Sequence, residues 1–441
     1  MMTRSGLIGV LAVVGGVLLA VNVLRILRGG GRQRLVLTEG RIRAHATLLL
    51  IGLWGGGAVL LATPGLIARN GQPKGGDFVH FWTMGRLLHE GQAAALYDAA
   101  AFDGLVAREL PDARVLHYLP VYAPQTALLF QPLGALPYFT AWFIWTLLSL
   151  LVYAACIWVA WRECRNLREW GRLTTLLALA FPPLWYLVLD GQTSAMMLAA
   201  FVLVWRSLER GRPFLAGLAL SLIFHKPQLG VASAVLFVLC GQWAVVGGAV
   251  LGIAAQFALA GVLLGGSVLR DYVVIMTALP TAGAVIEPTV WQMHSLRAFF
   301  LLLLPWRPAA ETAYVVSAVA CLWNAARTWA LKPPVRVAMA QLLLTSVLVA
   351  PHLFVYNLAV VAPALLVIED LLQARQAPER DSRIHWMVYG AFALPLFGVI
   401  AAVTHVQLSV LAMAALSWSL YRLCLERPQV AAESVRESRA H

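Results

Sequence analysis

Apolar runs of spanning or near-spanning length recur along this chain, separated by short polar stretches rich in arginine. A helix needs about 20 apolar residues to cross a bilayer, fewer where the protein thins it or buries the helix ends. On that criterion the pattern predicts spans near 6–27, 45–66, 138–161, 173–189, 194–208, 213–225, 228–240, 243–265, 309–331, 336–351, 354–373, 385–404 and 406–424. The expected fold class is therefore an all-α, polytopic integral membrane bundle with about 13 transmembrane helices. Two connections, 67–137 and 266–308, are much longer than the rest, and the first exceeds any simple connector. Within it, Phe78 to Tyr97 reads as a helix, with Phe81, Met84, Leu87, Leu88 and Leu96 available as a membrane-facing stripe, and a second helix follows near 99–110. Tyr138, Phe139, Trp142 and Trp145 suit the interfacial belt where the chain re-enters lipid.

Composition supports the same class: 60% of residues are hydrophobic and 12% charged, more apolar surface than a soluble core of 441 residues would hide. The net charge of +12 does not indicate nucleic acid, because the arginines form short clusters between apolar runs without an aromatic-basic groove. One side of the predicted bundle receives Arg28/Arg32/Arg34/Arg41/Arg43, Arg162/Arg165/Arg168/Arg172, Arg206/Arg210/Arg212, Arg327/Lys332/Arg336 and Arg375/Arg380/Arg383, and the tail with Arg422, Arg427, Arg436 and Arg439 joins them. By the positive-inside rule that side, with the C-terminus, is cytoplasmic in a multi-pass inner (plasma) membrane protein. This requires 213–225 and 228–240 to be two short antiparallel helices, since a single span would reverse every later loop.

The run from Leu7 to Leu24 could be a signal-peptide core, but its length, its lack of a convincing cleavage site and the arginines behind it favour a retained helix. The expected organisation is an extra N-terminal helix and basic loop at 1–44, a catalytic core at 45–375, a helical hairpin at 376–424 and a disordered tail at 425–441. Cys156, Cys164, Cys240, Cys321 and Cys424 form no CxxC and read as inert thiols.

Polar residues beside a bilayer are costly, so each calls for a hypothesis. The side opposite the arginines collects Asp77, His80, Arg86, His117, Tyr118, Asp190, Gln192, His225, Lys226, Gln292, His294, Arg297, His352, Tyr356, Asn357 and His405. Several helix ends converging on one cavity is how a membrane enzyme would assemble a site. Asp77 opens the first outer helix after two glycines, as an N-cap, a catalytic base or both. Lys226 lies alone between two short helices, either snorkelling to headgroups or binding a phosphate. His352 and Tyr356 share a face if the turn after Pro351 is helical. No HExxH, P-loop or GxSxG stands in a suitable context, and the outer loops carry no tight acidic pair, so metal-independent chemistry without a cofactor is expected.

The order Asp77-Phe78-Val79-His80-Phe81-Trp82, Gly91 and Leu96-Tyr97-Asp98 resembles the opening of glycosyltransferase family 87, polyprenyl-phosphate-mannose-dependent mannosyltransferases with the GT-C membrane fold. Tyr118-Leu119-Pro120 to Pro124, Gln131-Pro132-Leu133, Leu136-Pro137, Gly191-Gln192-Thr193-Ser194, Ala216-Gly217, Lys226-Pro227 and Ala350-Pro351-His352 with Tyr356-Asn357 follow in order, covering roughly 45–375. The resemblance implies a GT-C-like bundle with a long first extracytoplasmic loop, a polyprenyl-phosphate sugar donor with mannose as the family's default sugar, and an acceptor that is a glycolipid, a polysaccharide or a protein. It implies Asp77 as general base and Lys226 and His352 at positions suited to the donor phosphate. A single-displacement mechanism adds Arg297 beside that phosphate, and the outer polar residues His80, Tyr118, Gln192, Gln292, His294, Tyr356 and Asn357 are expected around the substrates. Phe81 stands where a tyrosine is expected and Asn357 where an aspartate is common. The competing classes are a transporter or lipid flippase, which would favour mid-membrane charges and inverted repeats, and a scaffold with no common outer cavity.

Overall fold

The computed structural model describes residues 37–113, 121–278, 289–375 and 378–440, with 378–381 and 427–440 described by backbone alone. The expected span near 6–27 lies outside these residues. Among the described residues every regular element is helical, and Ile67–Pro73 and Met293–Phe354 form isolated bridges. Six helices are long and apolar enough to cross a membrane: Glu39–Leu61, Tyr138–Glu163, Trp243–Leu264, Val355–Gln373, Ser382–Thr404 and Leu408–Glu426. Arg165–Ala180 and Pro182–Asp190, bent by 46° at Phe181, make a seventh if taken as one span. Pro213–His225, Pro227–Leu239 and Val335–Val349 are apolar but shorter, so the sequence count of about 13 includes runs that do not meet the length criterion alone.

The Tyr138–Glu163 helix shows how such a chain is sorted. Phe143, Leu147, Leu151 and Trp158 point outward at helical spacing, with Phe143 61% and Leu151 60% exposed, while Trp145, Ser149, Tyr153 and Ala160 are buried. The apolar stripe outside suits a lipid solvent and would be a liability in water. Its 26 residues extend about 39 Å, enough to separate two chemically distinct ends. At its last turn Arg206 pairs with Glu163 and Glu209, while Arg336 donates to the Glu163 carbonyl and pairs with the fully buried Asp370 at 2.9 Å. The candidate site lies toward its first turns.

The first long connection folds as an apolar cap on that end. Phe78–His89 crosses Gln125–Gly134 so closely that a Cβ on Gly85 would lie 2.2 Å from the Phe130 carbonyl oxygen. Phe78, Trp82, Phe102, Phe130, Tyr138 and Trp145 form one cluster around the crossing. The second outer helix, Ala99–Glu109, falls where it was expected. Phe81, Met84, Leu87, Leu88 and Leu96, read from sequence as a membrane-facing stripe, are instead buried in this cluster because neighbouring helices cover them.

Helices of the C-terminal half are tied by buried polar side chains. The Asn324 and Gln341 amides both donate to the Ser417 hydroxyl, and Ser233 bonds Ser346. The last helix runs from Leu408 to Ala440.

Candidate active site

Asp77 occupies the N-cap position of Phe78–His89, but its side chain makes no capping hydrogen bond. Its Oδ2 instead accepts from Gln192 Nε2 at 2.5 Å, 115 residues along the chain. The cap reading therefore gives way to a tertiary contact. Gly191 makes the meeting geometrically possible. It ends the Pro182–Asp190 helix in the left-handed region at φ +61, and its absent Cβ would stand 2.6 Å from Phe78 Cβ. Trp145 Nε1 donates to the Gly191 carbonyl at 2.9 Å, fixing the turn against the Tyr138–Glu163 helix.

Lys226 breaks the chain between Pro213–His225 and Pro227–Leu239. It does not snorkel to headgroups. The residue is 5% exposed, and Nζ donates to Gln192 Oε1 at 3.3 Å while lying 4.8 Å from the Tyr356 ring centre and 5.8 Å from that of Tyr122. Burial pushes the ammonium down to about 8, partly offset by the Asp77 carboxylate. One amide thus joins a carboxylate and a cation supplied by different loops.

His80 is 3% exposed and packs against Phe81, Phe102 and Tyr122. Burial, reinforced by Lys226, pushes its imidazole down to about 3, so it stays neutral at this site. Asn357 is buried and accepts from the Ser194 hydroxyl at 3.1 Å, while His225 Nε2 lies 3.2 Å from the Thr193 hydroxyl. His352 stands against Phe354, whose ring in turn packs on Tyr356. The turn holding His352 is not helical; a tight helical turn begins only at Val355, so the shared helical face expected for 352 and 356 does not form.

Three expected site residues have other structural partners. Arg297 is held by both oxygens of Glu311, at 2.9–3.1 Å, so its charge is compensated within the protein. His294 Nδ1 meets the Ser409 hydroxyl at 2.7 Å, and Gln292 accepts from Thr289. Tyr118, like His117, lies outside the described residues. Tyr122 is the site residue that sequence reasoning missed. Its ring sits 4.7 Å from Phe81 and its side chain hydrogen-bonds Gln192. Burial and the nearby Asp77 carboxylate push the phenol up, keeping it protonated. The available signal was its place in the Tyr118-to-Pro124 run.

Chemically, the arrangement presents a half-buried carboxylate, a desolvated ammonium and an aromatic wall. It can accept a proton from one ligand while balancing negative charge on another. The sequence model described as Glycosyltransferase family 87 matches residues 121–351. That segment contains Tyr122, Gln192 and Lys226, and Asp77 reaches it through the Gln192 amide. No curated protein and no solved structure matches the chain.

Proposed function

The chain belongs to glycosyltransferase family 87, and from that premise we propose that it transfers a sugar from a polyprenyl-phosphate donor to an acceptor hydroxyl at the extracytoplasmic face of the membrane. The observation that carries this reading is the Asp77–Gln192–Lys226 contact, in which base and cation stand one amide apart. In a single displacement the acceptor oxygen attacks the anomeric carbon as Asp77 takes its proton. The bond from that carbon to the phosphate oxygen breaks, the electron pair leaves with the polyprenyl phosphate, and the configuration inverts. Lys226 balances the charge on the departing phosphate, which needs electrostatic stabilisation more than protonation. His352, beyond Phe354, is proposed as a second phosphate contact. Arg297 is left out because Glu311 already occupies it.

Neutral His80 and protonated Tyr122 suit hydrogen bonding to sugar hydroxyls, with Tyr356 and Asn357 completing that wall. Mannose is the sugar the family resemblance implies, and no metal or cofactor enters the proposed step. A lipid-linked donor explains why the site is built beside apolar helices, since its tail stays in the bilayer. Membership in the family favours the enzyme over the transporter reading.

The test is transfer of radiolabelled mannose from polyprenyl-phosphate-mannose in membranes, with extracted lipids as acceptors. Asp77→Asn should retain donor binding and lose turnover by about 100-fold or more, as expected for removal of a general base. Near-normal turnover in that variant would remove Asp77 from the mechanism.

A further inference from the structure

A carboxylate and an ammonium on neighbouring loops ordinarily close on one another, which would neutralise both. Here Asp77 and Lys226 meet through Gln192, whose Nε2 donates to Asp77 Oδ2 and whose Oε1 accepts from Lys226 Nζ. The amide has only one sensible orientation. Reversed, it would turn its carbonyl to the carboxylate and its NH₂ to the ammonium, losing both bonds. Gln192 is 1% exposed and follows the Gly191 turn clamped by Trp145, so it cannot drift out from between the charges.

We propose that Gln192 is a positioning residue that keeps the base and the cation of this transferase from pairing with each other. The inference rests on the proposed roles of Asp77 and Lys226. An uncharged amide satisfies one bonding position on each ion and neutralises neither. Asp77 Oδ1 is left for the acceptor hydroxyl, and two of the three Nζ protons are left for the donor phosphate. Among the described residues the groups facing Lys226 are Asp77, Gln192, His80, His225, Tyr122 and Tyr356, of which Asp77 alone is a carboxylate. With Gln192 gone, Asp77 is therefore the anion that Lys226 would find.

The experiment compares Gln192→Leu, Gln192→Asn, Asp77→Asn and the double variant Asp77→Asn/Gln192→Leu, with polyprenyl-phosphate-mannose as donor and kcat/KM measured against pH. Gln192→Leu should lower turnover by about 100-fold, the cost of a small misplacement of reacting groups. Its alkaline limb should move upward by about one pH unit or more, because a directly paired carboxylate holds the lysine protonated. Gln192→Asn, too short to reach both partners, should fall between. The double variant should be no worse than Asp77→Asn alone, since Gln192 acts through that residue. A loss in Gln192→Leu with the alkaline limb unmoved, or a full additive loss in the double variant, marks a merely structural role and overturns the proposal. Wild-type turnover in both Gln192 variants beside an inactive Asp77→Asn overturns it alone. An active Asp77→Asn overturns the underlying reading and this inference together.

Discussion

Burial among Tyr122, Tyr356 and Gln192 pushes the Lys226 ammonium down from its ordinary value to about 8. Lys226 is the clearest case in this protein of surroundings setting chemistry. The sign follows directly: the cation is present below about 8 and lost above it. In the free enzyme, kcat/KM should therefore fall as pH rises through about 8, and the profile of kcat/KM reports this group. Lys226→Arg keeps its charge to a pH above about 12, so its alkaline fall should disappear even if the absolute rate is lower. A wild-type profile flat from pH 7 to about 10 would show that Lys226 is not required as a cation. Asp77 and Lys226 were each legible as isolated polar residues in costly places. Gln192 was legible too, as an outer polar residue expected to contact substrate; its place between the two charges was not, because that bridge joins segments far apart in the chain.

At the scale of elements, the site depends on close helix approach in the outer cap. Gly85 sits two turns along the helix that Asp77 opens, and its neighbours at 2.2 and 2.5 Å are the Phe130 backbone, which cannot rotate away. Gly85→Ala should destabilise the protein by about 1–3 kcal/mol through overpacking and should also reduce turnover, because relief of the clash displaces Asp77. Gly104 offers the control: it lies in the Ala99–Glu109 helix with nothing within 4 Å of its absent Cβ. Its replacement by Ala should be neutral or stabilise by up to about 1 kcal/mol. Thermal unfolding in detergent distinguishes the two, and equal melting temperatures would contradict the packing argument. The two outer helices were readable from periodicity. What covered their apolar stripe was not, since lipid and a neighbouring helix select the same side chains.

Across the whole molecule, the Tyr138–Glu163 helix links two polar centres with different tasks. At its far end the buried Asp370 accepts from the Asn166 backbone N–H at 2.7 Å and pairs with Arg336, joining the Val355–Gln373 and Val335–Val349 helices to the Arg165–Trp170 turn. Breaking a buried pair costs about 3–5 kcal/mol, and the partial exposure of Arg336 places this one toward the lower end. Asp370→Ala should therefore reduce folded yield in membranes while leaving the donor KM of the surviving enzyme unchanged. A changed KM would mean that the two ends communicate.

The apolar runs, the arginine clusters and the positions of Asp77 and Lys226 were determined by sequence alone, because the cost of burying polarity beside lipid is paid residue by residue and is local. Which runs are long enough to cross, which cations already have a carboxylate, as Arg297 has Glu311, and which amide separates base from ammonium were decided only in three dimensions. Those outcomes depend on distances between segments more than 100 residues apart for the Asp77–Gln192 pair, and on packing that no local pattern encodes.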